Sequence, residues 1–283
     1  MRAVFTFTPA ESKRLIARGV VNTPEVCEAL ESAYVVIAGG TTNAFVAQEL
    51  TGLDIEPQRF TAGISAQRVL CVTPASERDD RIPIVLYKGE RVQRTMQEVF
   101  EDFHLQTVVI KGANAVDGDG NVGVITSGFD GGTVAATIGY MTSTGMSYVF
   151  PVGLEKLIPS VPKACRSLGS KRLDYAMGAT FGMYCLSHGQ VVTEIEALFH
   201  LANVEATLVA AGGIGGSEGS VTLAVRGAAK DVEDAIAIAE SVKGEPEVPA
   251  LKGQCTECLY ENCAYHGRSE AELPEWLRAA PAA

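Results

Sequence analysis

Three cysteines fall within nine residues near the end of the chain, in the run Cys255-Thr256-Glu257-Cys258-Leu259-Tyr260-Glu261-Asn262-Cys263-Ala264-Tyr265-His266. A C-x2-C pair closes a small chelate whose two sulfurs reach one metal, and four more residues return a third Cys to the same side. His266, three residues on, would complete a tetrahedral Cys3His zinc site. The same thiolates would equally hold three irons of a [4Fe-4S] cluster, the fourth iron falling to His266, another Cys or an exogenous ligand. Left unliganded on an exposed tail, so dense a set of thiols would oxidise. Metal is therefore expected, and zinc and iron-sulfur both stand. The other cysteines, Cys27, Cys71, Cys165 and Cys185, are scattered in apolar surroundings and are expected to be small core residues.

Three glycine-rich loops carry a second kind of chemistry. Gly39, Gly40, Thr41, Thr42 and Asn43 follow an apolar run and open a helical one. Unpaired amides at a helix start, with no side chain on the glycines and hydroxyls on the threonines, make a cradle for phosphate or carboxylate; the same string also reads as a tight turn with Thr as cap. Lys111-Gly112-Ala113-Asn114-Ala115-Val116-Asp117 closes another apolar run, so Lys111, Asn114 and Asp117 bring a cation, an amide and a carboxylate to a strand end. Asp117-Gly118-Asp119-Gly120-Asn121 is no calcium loop, because Val122 stands where that loop needs Gly and Gly128 where it needs Glu. The third loop is Asp130-Gly131-Gly132-Thr133, at another helix start.

Taken together, the three loops resemble the superfamily that unites ribose-5-phosphate isomerase, sugar-responsive DeoR-type sensor domains and CoA transferases. Lys111 to Ala115 is similar to the isomerases' Asp-Gly-Ala-Asp-Glu run, and Asp117 to Asn121 to the Asp-x-x-Gly-Asn turn of CoA transferases. The resemblance implies a small anionic ligand cradled by the first and third loops. It also places Asn114 where the isomerases carry a catalytic Asp, and an amide has no usable proton affinity near neutrality. Asp130 likewise stands where that family carries Lys, which argues against sugar-phosphate isomerisation. Glu218, in Gly216-Ser217-Glu218-Gly219, is the candidate for a CoA-transferase nucleophile, with a solvated hairpin tip as the simpler reading.

The elements that must position these residues follow from pattern. Helices are expected from Pro9 to about Arg18, ended by Gly19, from Pro24 to Ser32, and from Ala44 to Leu50. Apolar strands are expected at 34–38, 68–72, 83–87, 107–110, 122–126 and 147–152. Between them, Val92, Met96, Val99 and Phe103 show helical spacing, and Gly131 opens a helix reaching about Met141. Strands alternating with helices predict an α/β fold with a mostly parallel sheet covered by helices. From 175 to 245 the order βαββα predicts a ferredoxin-like α/β subdomain, the kind of lid the isomerases carry, with the 212–219 Gly loop as a hairpin. The expected division is a core over 1–174, that subdomain over 175–245, and a linker with a Cys-rich metal-binding tail over 246–283. His104, His188, His200 and Trp276 show no ligand spacing, and Met141, Met146, Tyr140 and Tyr148 are expected to pack a core.

Composition narrows the partners. The 283 residues carry 23 Lys+Arg against 34 Asp+Glu, with no basic cluster longer than a pair. That excludes an electrostatic footprint for nucleic acid or an anionic membrane. No apolar run spans a bilayer, so the expected site of action is the cytoplasm. Seven cysteines cannot all pair. The reading is an enzyme, isomerase/transferase-like or iron-sulfur-dependent, that binds a phosphorylated or otherwise anionic metabolite, with a homo-oligomer allowed. The alternative is a non-catalytic metabolite or metal sensor with the Cys-rich tail as switch or docking module.

Overall fold

A computed structural model describes residues 1–102, 104–128 and 130–278. Phe103 and the end of the Ala/Pro tail lie outside the described residues. In chain order the first half contains β1 (Arg2–Phe7), α1 (Pro9–Val21), α2 (Pro24–Ser32), β2 (Tyr34–Ile37), α3 (Thr41–Thr51), β3 (Gly63–Ala66), β4 (Val69–Val72), β5 (Ile84–Tyr87), β6 (Glu90–Val92), α4 (Met96–Glu101) and β7 (Val108–Ile110). The second contains β8 (Ala115–Val116), β9 (Val122–Thr126), α5 (Gly132–Thr144), β10 (Ser147–Pro151), α6 (Val161–Arg166), β11 (Gly182–Leu186), β12 (Gln190–Val192), α7 (Glu194–Ala202), β13 (Glu205–Ala211), β14 (Val221–Arg226) and α8 (Ala229–Ser241).

The central sheet has six strands in the order β12-β10-β7-β2-β5-β6. β2 is buried at every position, which is why it reads as a continuous apolar run rather than an alternating one. Its Val35 and Ile37 face one core, shared with α1, α3, α7 and α8, while Tyr34 and Val36 face a second core with α4 and α5. Both faces are covered, as the α/β pattern requires.

The sheet is mixed. β2, β7, β10 and β12 are parallel, and every other named strand pairing is antiparallel. The departure begins at Lys88-Gly89, both with positive φ (50° and 78°), a two-residue turn that folds β5 onto β6 as a hairpin instead of leading into a crossover helix. The helical spacing over 91–102 therefore spans the end of a strand and the short α4. The run at 68–72 is likewise not in the central sheet: β4 pairs with β3 in a separate hairpin. β9 joins β8 and β11 in a small antiparallel sheet.

The expected 175–245 unit is also assembled differently. β11 pairs with β9, β12 takes the edge of the central sheet, and the antiparallel sheet containing β13 and β14 draws its third strand, β1, from the start of the chain. The 212–219 Gly loop does connect the adjacent strands β13 and β14. Gly19 does not end α1, which continues to Val21; a Cβ at Gly19 would lie 2.5 Å from Ala197, so the glycine marks the close crossing of α1 and α7.

Two further expectations are corrected or refined. Cys27 and Cys185 are exposed and Cys71 and Cys165 only partly buried, since α2 turns Val26 and Ala29 inward, not Cys27, and β11 turns Leu186 inward, not Cys185. Met141, Met146 and Tyr148 are core residues, whereas Tyr140 is half-exposed and stacks on Phe100. Among the described residues, no helix is long and apolar enough to cross a membrane.

Candidate functional site

The parallel strands end side by side. Ala38 to Asn43 follow β2, Lys111 follows β7, Glu155 and Lys156 follow β10, and Glu194 follows β12. In open α/β sheets this carboxyl edge is where ligand groups gather.

At the first loop, α3 begins at Thr41 with Gly40 as its cap residue and no side-chain cap. The Gly40 N–H is taken by the Phe60 carbonyl at 2.7 Å, so the cradle narrows to the first-turn residues Thr41, Thr42 and Asn43. Asn43 is wholly buried. Its Nδ2 donates to the carbonyls of Ala38 (2.7 Å) and Ile110 (3.2 Å), tying the ends of β2 and β7 together. Its Oδ1 has no hydrogen-bond partner and faces Gly112, where a Cβ would lie 3.4 Å away.

Lys111 and Lys156 stand beside this seam. The Lys111 Nζ donates to its neighbour Gly112's carbonyl (3.2 Å) and the Lys156 Nζ to that of Ala113 (3.0 Å). Among the ion pairs of the described residues neither takes part, whereas Lys13 holds Glu155 at 3.5 Å. Both are partly exposed. Burial, with the Lys156 ammonium added, brings Lys111 down to about 8. Burial lowers Lys156 as well, against the pull of Glu155 and Glu194.

Glu194 lies beneath them, fully buried, its Oε2 accepting the Leu154 amide at 2.9 Å while its Oε1 is unpartnered. Burial pushes its carboxyl up to about 7, Glu155 adds to the rise, and Ser12 and the Leu154 amide oppose it. Glu155 Oε2 is also unpartnered and covers Gly153, where a Cβ would lie 1.7 Å from it. The edge thus brings together two ammonium groups outside any ion pair, a carboxyl raised by burial, and two further acceptors without a donor, Asn43 Oδ1 and Glu155 Oε2.

Asn114 and Asp117, predicted beside Lys111, are engaged elsewhere. Asn114 Oδ1 accepts the Ile125 amide at 3.0 Å, bracing the start of β8 against β9. Asp117 accepts from the Asp119 and Asn121 amides, from Asn121 Nδ2 and, at 2.8 Å, from the Val161 amide at the start of α6. Burial works to raise its carboxyl, but these donors outweigh it and hold it below the usual range. At the third loop Gly131 is the cap residue of α5, the preceding Asp130 accepts the Gly132 amide through Oδ1 at 3.1 Å, and a Cβ at Gly131 would meet the Tyr184 hydroxyl at 2.2 Å. Thr133 spends its carbonyl on Thr137. Glu218 is exposed and accepts the Gly215 and Gly216 amides of its own hairpin tip.

Sequence reasoning missed Lys13, Glu155, Lys156 and Glu194. Charged residues just past the apolar runs 147–152 and 190–192 were the available signal. Two surface hollows lie elsewhere, on the outer face of the β1-β14-β13 sheet and among charged residues 54–81, and neither contains these groups.

In the tail, Cys255, Cys258 and Cys263 are partly buried and His266 is exposed. Among the described residues no group of three or more His, Cys, Asp or Glu is arranged to hold a metal ion as it stands. The tail packs on the body through Tyr265, Leu273 and Leu277, which are buried with Val69 of β4. No protein-family model, curated protein or solved structure matches the chain.

Proposed function

We propose that the protein binds a small anionic metabolite, of the sugar-phosphate, nucleotide or acyl-CoA class, across the carboxyl ends of β2, β7 and β10, and acts on it as an enzyme. The observation that carries this reading is the pair Lys111 and Lys156, two recessed ammonium groups at neighbouring strand ends that only backbone carbonyls accept from. Lys156 has Glu155 and Glu194 nearby, but Lys111 has only the Lys156 ammonium beside it, and a bound anion would offset the cost of holding that cation among protein groups. Thr41, Thr42 and the uncapped start of α3 supply further donors at the same edge. Lys111 is the group suited to move a proton, because near neutrality it loses its proton far more readily than an ordinary lysine. The engagement of Asn114 and Asp117 in the scaffold favours a second reading, a metabolite sensor that binds at this edge without turnover.

Thermal unfolding with sugar phosphates, nucleotides and acyl-CoAs tests the site. At least one class is expected to stabilise the wild type, and Lys111→Met and Lys156→Met each to weaken that binding tenfold or more, about 1.4 kcal/mol. Binding should also weaken as pH rises through about 8, where Lys111 loses its charge. No stabilisation by any class, or equal stabilisation of wild type and both variants, sinks the site; binding without conversion of the bound compound selects the sensor.

A further inference from the structure

The tail cysteines have a fourth companion far away in sequence. Cys71 lies on β4, and the chain is folded so that three segments meet beside it. The Gly253 amide donates to the Val72 carbonyl at 3.3 Å, setting the approach to Cys255 against β4. Leu70 bridges to Gly178 and Ala176 to Cys263, so the 176–178 run carries contact from β4 to the third tail cysteine, and the Ala264 amide donates to the Ala176 carbonyl at 3.0 Å. The Gly267 amide closes the loop on the Cys255 carbonyl at 2.8 Å. Cys71, Cys255 and Cys263 all pack against one apolar cluster made by Val69, Tyr265, Leu273 and Leu277. Cys258 lies within electrostatic reach of all three.

The sulfurs are also met by donors. The Tyr260 amide points at Cys258 Sγ and the Tyr265 amide at Cys263 Sγ, each at 3.4 Å, and the Lys252 ammonium stands 3.8 Å from Cys255 Sγ. A neutral thiol is a weak acceptor, and donors converging on successive sulfurs are the surroundings that orient and tune metal-bound sulfur. His266 is exposed, its backbone amide used on the Cys263 carbonyl.

We infer that Cys71, Cys255, Cys258 and Cys263 form a four-thiolate site for a thiophilic metal centre, a zinc ion or an iron-sulfur cluster, with Cys71 and not His266 as the fourth ligand. Loading removes a proton from each thiol to solvent and draws the four sulfurs together, so metal binding reinforces the docking of the tail on β4 that the apolar contacts already make. The centre clasps residues 250–278 to the body, beside the hydrogen bond (3.0 Å) between Tyr260 and Ser127 at the end of β9. This site is independent of the strand-end site.

The test uses the full chain purified without oxygen, with metal and sulfide analysis and an absorption spectrum. Either one zinc per chain in colourless protein, or iron with matching sulfide in brown protein, is expected. Thiol alkylation read by mass spectrometry should find Cys71, Cys255, Cys258 and Cys263 protected in loaded protein and exposed together by a chelator, while Cys27 and Cys185 react throughout. Cys71→Ser should lose the metal, His266→Ala should keep it, and Cys71→His should restore zinc where zinc is the native ion. Because protection is read on wild type, a misfolded Cys71→Ser does not decide the matter. Metal-free wild type that stays metal-free on incubation with zinc alone or with iron and sulfide overturns the site. Loss of metal in His266→Ala with Cys71 alkylated in loaded protein overturns the assignment of the fourth ligand.

Discussion

The chain contains two helix starts of nearly the same composition, Gly39-Gly40-Thr41-Thr42 and Gly131-Gly132-Thr133, and the structure uses them in opposite ways. At the second, Asp130 folds back onto the Gly132 amide and supplies the negative charge a helix start attracts. Around the neighbouring turn, Asp117 and Asn114 are likewise saturated by backbone donors. At the first, no side chain caps α3, and Asn43, Glu155 and Glu194 each keep an unpartnered oxygen beside two unpaired lysines. Glycine and threonine at a helix start thus say little about binding on their own. What differs is a local carboxylate, present before the second helix start and absent before the first.

That contrast can be broken in graded ways. The largest effect is expected from Asp117→Ala, which strands the Val161 amide at a residue with no solvent exposure and releases the 117–121 turn. Chemical denaturation should show a loss of about 4 kcal/mol, with anion binding at the strand ends retained; a loss of binding at full stability would return Asp117 to the ligand site. Next is Glu194→Gln. A carboxyl raised from 4.5 to about 7 binds its proton more tightly folded than unfolded, so its stabilisation is complete below about pH 4.5 and fades as pH rises through 7. Wild type should lose about 3 kcal/mol relative to Glu194→Gln over that interval, measured by denaturation at each pH; parallel profiles would show that the carboxyl is not perturbed. Lys111 has the same direction of proton release but the opposite consequence, its stability contribution rising between about 8 and 10.5. The smallest is Asp130→Ala, which should cost about 1 kcal/mol or less as a lost hydrogen bond to the first amide of α5 and leave anion-induced stabilisation untouched. An altered anion response in that variant would join the two helix starts into one site.

How far these features were legible depended on their range. β2 and α2 were plain because their signals are local: a buried apolar run, and Thr23-Pro24 at a helix start. Lys111 was legible because it directly follows an apolar strand. Lys156 and Glu194 were not, since they reach Lys111 only through the lateral order of β7, β10 and β12, which no local pattern encodes. The β5–β6 hairpin hid behind helical spacing, its Lys88-Gly89 turn lacking the usual Asn-Gly or Asp-Gly. Cys71 looked like a core residue for the same reason Lys156 was overlooked, its partners lying on a segment that returns only at the end of the chain.

The closing of the β1-β14-β13 sheet sets a temporal order on biosynthesis. β1 is made more than 200 residues before its partner, since Arg2 to Phe7 pair with Arg226 to Val221. At about 5–20 residues per second the strand waits some tens of seconds with its hydrogen-bonding edge unclaimed. Its apolar Ala3, Phe5 and Phe7 on one face and Val4 on the other make that edge attractive to other nascent chains. Yield of native protein is therefore governed by what shields these residues during translation as much as by the stability of the finished molecule.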